Sequence, residues 1–130
     1  MKALGEHMLL EYYGCDAGKL AHSNEVKEIM VNAIRAAHGT VVTNIFHNFS
    51  PHGVSGVVVI AESHVTIHTW PEHGCAAVDI FSCSDRLDKE MIRDSLKLQF
   101  GASEVATRNF ERGLLPRIGK SRLQTCDTAG

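Results

Sequence analysis

The densest concentration of reactive side chains lies in Glu62-Ser63-His64-Val65-Thr66-Ile67-His68-Thr69-Trp70-Pro71-Glu72. Ser63 offers a nucleophilic hydroxyl. His64 and His68 offer imidazoles, which exchange protons near neutrality, and Glu62 and Glu72 offer carboxylates. Metal binding is one use for the two histidines. They stand four residues apart. On a strand that is roughly 13 Å at ~3.3 Å per residue, too far to share one ion. Only a helix would bring them together, and the β-branched content of the segment argues against one. Serine–histidine hydrolysis is a second use. No Gly-x-Ser-x-Gly elbow surrounds Ser63, and Val54-Ser55-Gly56 lacks the strand–turn–helix setting of such an elbow. A third reading makes these residues the wet face of an ordinary strand. That explains any one of them well and the whole string poorly.

The elements that must position these groups can be read from the surrounding pattern. Residues 54–61 are nearly all apolar, which predicts a central strand covered on both faces. Glu62-Ser63-His64 interrupts the run and predicts a tight reversal with Ser63 in the turn. Beyond it Val65, Ile67 and Thr69 alternate with Thr66, His68 and Trp70, so His64, Thr66, His68 and Trp70 share one strand face. Further strands are expected at residues 7–13, 40–49, 75–83 and 104–110. Ser50-Pro51-His52-Gly53 and Pro71-Glu72-His73-Gly74 supply turns between them.

Two helices are expected. Val26, Ile29, Met30, Ala33, Ile34 and Ala37 form one apolar stripe, with Ser23 or Asn24 as cap and Gly39 as terminator. Asp88 caps a second helix with Met91, Ile92, Ser95 and Leu96 inward. Asp16-Ala17-Gly18 reads as a break, and the tail from Gly113 onward as loosely held. Short links between consecutive strands favour antiparallel pairing. The predicted fold is therefore α+β, a two-layer sandwich of an antiparallel sheet with two helices on one face. The strands carry apolar residues on both faces. A homodimer that stacks sheet on sheet would cover the second face.

Composition bounds the rest. The 130 residues suit one domain, residues 1–130. Thirteen basic residues against 15 acidic give a net charge of −2, without the basic excess of a nucleic-acid binder. The longest apolar run, residues 56–61, is too short to span a membrane, and the first residues have no signal-peptide pattern. A cytoplasmic location is the default. Cys15, Cys75, Cys83 and Cys126 fit no zinc spacing and read as reduced thiols. No metal is expected.

The eleven-residue segment closely resembles the self-processing segment of the small prokaryotic S-adenosylmethionine decarboxylases, a pyruvoyl-dependent family. The resemblance extends upstream through Phe46-His47-Asn48-Phe49 and Gly53-Val54-Ser55-Gly56-Val57-Val58-Val59-Ile60, and downstream through Ala76 to Cys83. It weakens toward the C-terminus. It implies that Ser63 attacks the carbonyl of Glu62 and that the chain divides between them into residues 1–62 and 63–130. Ser63 would then become the pyruvoyl group, a ketone that condenses with the amine of the substrate and serves as electron sink when carbon dioxide leaves. His68 matches the base of the processing step. Ser55 matches a position that assists it by hydrogen-bonding the oxyanion. Cys83 matches the proton donor of the decarboxylation, a role a thiol can fill because it is ordinarily protonated at neutral pH. Phe49 and Trp70 match aromatic positions around adenine, Glu72 matches the group that takes the ribose hydroxyls, and Val65 matches an apolar wall. The implied substrate is S-adenosylmethionine. Its decarboxylated product is an aminopropyl donor for spermidine and other polyamines. The implied assembly is a homodimer with the pocket completed across its interface.

Two alternatives stay open from the sequence. His73 and Cys75 stand where aromatic residues are expected, so a pyruvoyl-dependent decarboxylase of arginine or ornithine fits the same machinery. A non-catalytic regulatory paralogue would typically lose Ser63, His68 or Cys83, and all three are present. No acidic cluster suited to a diamine such as putrescine is evident, and neither it nor a metal is expected to be required.

Overall fold

A computed structural model describes residues 3–118 of the chain. Six strands form one antiparallel sheet: β1 (Ala3–Tyr13), β2 (Val41–Asn48), β3 (Val54–Ile60), β4 (Ser63–Trp70), β5 (Cys75–Ser82) and β6 (Glu104–Leu114), in the order β2-β3-β4-β5-β1-β6. Helices α1 (Ala17–Leu20), α2 (Ser23–Ala36) and α3 (Lys89–Gln99) and two short 3-10 turns, Pro71–His73 and Leu115–Arg117, are the other elements of the described residues. The core lies between sheet and helices. Met8, Leu10 and Tyr12 of β1, Val58 of β3, Val65 and Ile67 of β4 and Val78 and Ile80 of β5 meet Val26, Met30 and Ile34 of α2 and Ile92 and Leu96 of α3. Tyr12 is fully buried, and its hydroxyl donates to the carbonyl of Arg93 at 2.8 Å. Burial pushes that phenol far above the ordinary tyrosine range.

The expected α+β sandwich is present, with corrections at its edges. β1 begins at Ala3, and β6 runs on through Leu114 because it pairs with β1 along its length. As expected, β1 has ended before Asp16-Ala17-Gly18, and Asp16 also has a second role. Its carboxylate accepts from the amide of Gly18 at 3.0 Å and starts α1. Neither Ser23 nor Asn24 caps α2. His22 occupies that position without a side-chain bond, and the amide of Ser23 donates instead to Asn48 Oδ1 of β2 at 2.6 Å. Asp88 does cap α3, accepting from the amide of Met91 at 3.0 Å, but Met91 itself faces outward. The left-handed residue after α2 is His38 (φ 72°), not Gly39. Gly39 is needed for contact, since a Cβ there would lie 2.5 Å from Ile34 Cγ2. Cys126 and most of the basic tail lie outside the described residues.

Among the described residues β3 is covered on one face only. Val54, Val58 and Ile60 point to the helices, while Val59 points to the opposite face and is exposed. That opposite face carries Ile45 (68% exposed), Val59, Trp70 (44% exposed) and Phe110 across the sheet, with no layer of the described residues over it.

Candidate active site

The turn from β3 to β4 consists of Ala61 and Glu62. Ser63 is already the first residue of β4, in register with Ile60 and Ser82. This corrects the expectation that Ser63 sits in the bend. Glu62 takes φ 66°, a left-handed conformation that costs a non-glycine residue on the order of 1 kcal/mol. The amide of Ala61 donates to Thr40 O at 3.0 Å and pins the bend. The amide of Cys83 donates to the carbonyl oxygen of Glu62 at 3.3 Å. That carbonyl is the electrophile an attack by Ser63 would need, and an N–H aimed at its oxygen stabilises charge developing there.

Ser63 is 8% exposed, and its hydroxyl donates to Ser82 Oγ at 3.3 Å. Ser82 is committed elsewhere as well. It donates to Ser84 O at 2.7 Å and accepts from the amide of Ser84 at 3.2 Å. It therefore orients the Ser63 hydroxyl without being free to remove its proton.

A second group of side chains sits at the far end of β4. His68 is opposite Ser55 on β3, and its Nδ1 lies 2.7 Å from Ser55 Oγ. His47 of β2 lies on the other side of Ser55 in the same row. Phe49 packs edge-on to His47 with centroids 4.6 Å apart, and Trp70 lies 6.4 Å from His68. Thr69 locks this end. It accepts from the amide of Val54 at 2.9 Å and donates to Leu20 O at 2.8 Å. Glu72 follows, exposed, in the turn Pro71–His73, whose Pro71 is buried and which Gly74 closes with φ 62°. The peptide of Cys15 braces that turn, its amide donating to Gly74 O at 2.8 Å. Burial, and secondarily the neighbouring Cys75, pushes the Cys15 thiol up to about 11, which keeps it protonated.

The structure thus groups Ser55, His68, Phe49, Trp70 and Glu72 at one end of β4, and Glu62, Ser63 and Cys83 at the other. It does not bring the two groups together. Ser63 and His68 are five positions apart on one strand. That is roughly 16 Å at ~3.3 Å per residue, and an odd separation puts them on opposite faces. Ser63 faces the helices, while His68 faces the bare side. Val65 also departs from expectation. It is fully buried against Val58 and Ile80, on the face away from His68 and Trp70, so in the intact chain its side chain is core and not pocket wall. Cys83 is exposed just past β5, as its place at a strand end suggested.

Two members escaped the sequence reading. Ser82 holds the hydroxyl of Ser63. Its signal was a lone hydroxyl at an inward position of β5, after Ala76, Val78 and Ile80. His47 flanks Ser55, and its place became visible only with the β2–β3 register.

The architecture defines an α+β protein with a sheet left open on one face and a serine set behind a left-handed bend. Residues 6–113 match the family model described as S-adenosylmethionine decarboxylase. The S-adenosylmethionine decarboxylase proenzyme of Acidithiobacillus ferrooxidans is 45% identical over 119 residues, covering 92% of this chain and 90% of that protein. The protein of the same name from Pelotomaculum thermopropionicum is 49% identical over 116 residues, covering 89% and 92%. The crystal structure of the adenosylmethionine decarboxylase from Aquifex aeolicus superposes with a TM-score of 0.82 at 34% identity, covering 93% of this chain and all of that one. The chain belongs to the S-adenosylmethionine decarboxylase family.

Proposed function

We propose that this protein cuts its own backbone between Glu62 and Ser63 and then decarboxylates S-adenosylmethionine. The observation that carries the first step is the scissile unit itself. A left-handed Glu62 has its carbonyl polarised by the amide of Cys83, and a buried serine hydroxyl follows it directly. Ser63 Oγ adds to the Glu62 carbonyl carbon, the C–N bond breaks, and the amide becomes an ester. A base then removes the Cα proton of Ser63. The Cβ–O bond breaks and its electron pair leaves with Glu62 as a carboxylate. The remaining dehydroalanine hydrolyses with loss of ammonia. Residues 1–62 and 63–130 result, the second beginning with the pyruvoyl group. When formed, that group supplies the electrophilic carbonyl through which the substrate loses carbon dioxide.

His68 is the proposed base, held by Ser55. Its distance from Ser63 on the same strand supports a role toward the Ser63 of a second copy. The bare sheet face supports a face-to-face homodimer in which the His68 end of one protomer meets the Ser63 end of its partner. Phe49 and Trp70 flank β3 at that end, in position to stack a flat base and to attract a sulfonium cation. Glu72 stands beside them to accept hydroxyl hydrogen bonds. Exposed Cys83 delivers the proton that replaces the lost carboxylate. The free thiols of Cys15, Cys75 and Cys83 support a reducing, cytoplasmic setting. No helix of the described residues is long and apolar enough to cross a membrane.

Mass spectrometry tests the processing. The natural chain is expected as two fragments divided before residue 63, the second without a free amino group, and Ser63→Ala as one intact chain. Carbon dioxide release tests the substrate. It is expected from S-adenosylmethionine and to fall to background in Ser63→Ala. Release from arginine or ornithine alone would overturn the assignment.

A further inference from the structure

A cavity of about 270 Å³ lies against the β3–β4 turn on the helix side, lined by His38, Thr40, Glu62, Ser63, Ser84 and Arg86 among others. Of its lining side chains, only His38, Glu62 and Arg86 carry ionisable groups, so the cavity sets no second carboxylate beside Glu62. Arg86 is exposed, and among the described residues no ion pair uses it. The loop that carries it is nonetheless well fixed. The amide of Arg86 donates to Ser84 Oγ at 3.1 Å, that of Ser84 to Ser82 Oγ at 3.2 Å, and that of Asp88 to Ala37 O at 3.1 Å. Leu87 is buried beside it. The backbone that carries Arg86 is therefore fixed beside the cavity by a loop that also bonds, through Ser82, to the hydroxyl of Ser63.

The cutting reaction creates a charge at this place. Before it, the Glu62 carbonyl is part of a neutral amide that accepts from Cys83. After the Cβ–O bond breaks, Glu62 keeps both oxygens as a terminal carboxylate, one of them the former Ser63 Oγ. An anion then stands at the cavity, beside the Glu62 side-chain carboxylate. We propose that this cavity is the binding site for the new carboxyl terminus of Glu62, with Arg86 as its ion-pair partner and His38 as a second donor. A planar guanidinium meets a carboxylate with two parallel hydrogen bonds, which holds the end in one orientation as well as neutralising it. The cut strand end is thereby kept beside Ser63 after its covalent link is gone. The proposal rests on the processing reading and deepens it.

The test compares Arg86→Gln in two backgrounds, the natural chain and Ser63→Ala, at equal protein concentration. Mass spectrometry is read first. Cutting is expected to be complete in the natural chain and in Arg86→Gln, and absent in both Ser63→Ala proteins. A natural chain that stays whole would overturn both readings at this stage. Thermal unfolding is read second. Arg86→Gln is expected to lower the midpoint of the cut protein by roughly 4 °C and to leave the uncut pair within about 1 °C of each other. About 1 M salt should shrink the first difference. His38→Gln should repeat the pattern with a smaller drop. Equal drops in both backgrounds would assign Arg86 to the fold alone, and no drop in the cut protein would remove the clasp, leaving the processing reading intact.

Discussion

The two ends of β4 differ in every physical respect. At Ser63 the side chain points into the core, the preceding residue is left-handed, and the hydroxyls of Ser63 and Ser82 are already committed. At His68 the side chain points to the bare face among exposed aromatic rings, and its partner is a hydroxyl across the ladder. The first end resembles a loaded peptide bond and the second a binding surface. A strand with a strict two-residue alternation cannot bring a residue at one end to the reactive group at the other. One chain therefore holds Ser63 and His68 apart, and in the proposed mechanism the open sheet face would join them through a second copy.

The largest test of this comparison is complementation. His68→Ala and Ser63→Ala are each expected to stay uncut as pure proteins. Mixed in equal amounts with exchange of protomers, about half of the His68→Ala chains should be cut, the statistical share of mixed dimers. Each such chain keeps its own Ser63 and borrows the partner's imidazole. Intact chains in the mixture would mean that His68 acts, if at all, within its own protomer, and the contrast between the ends would lose its meaning.

A smaller effect sharpens the Ser63 end. Ser82→Ala leaves the buried hydroxyl of Ser63 unheld, a loss of about 1.4 kcal/mol in orientation. Cutting should slow by roughly 10-fold, followed as the appearance of fragments after refolding. An unchanged rate would show Ser82 to be only a space filler.

The smallest effect probes the other end through Cys15, which braces the turn carrying Glu72. Its thiol is raised from 9.0 in the reference state to about 11 in the fold, by burial first and Cys75 second. A raised value favours the protonated fold, so this contribution is whole below pH 9 and lost as pH climbs to about 11. Cys15→Ala should flatten the decline in unfolding midpoint over that window. An unaltered decline would place its cause elsewhere.

Much of this organisation was legible in the residues. The alternation in β4 announced which side chains share a face, the stripe in α2 announced its buried side, and the carboxylate of Asp88 announced a cap. These are local relations, set by strand and helix periods. What escaped depended on contacts distant in sequence. The α2 start is capped from Asn48 on β2, and Val65 is core because β3 and β5 flank it under the helices.

The string from Glu62 to Glu72, by its chemistry and likeness, was enough to name the family and to propose a scissile bond and candidate residues. Only the folded sheet decided that Ser63 opens β4 instead of forming the bend, that the amide of Cys83 rests on the Glu62 carbonyl and that Arg86 lines the same cavity as Glu62. The reason is physical: a strand dictates the face of each of its own side chains, but which neighbours meet them is set by register and packing between segments far apart in the chain.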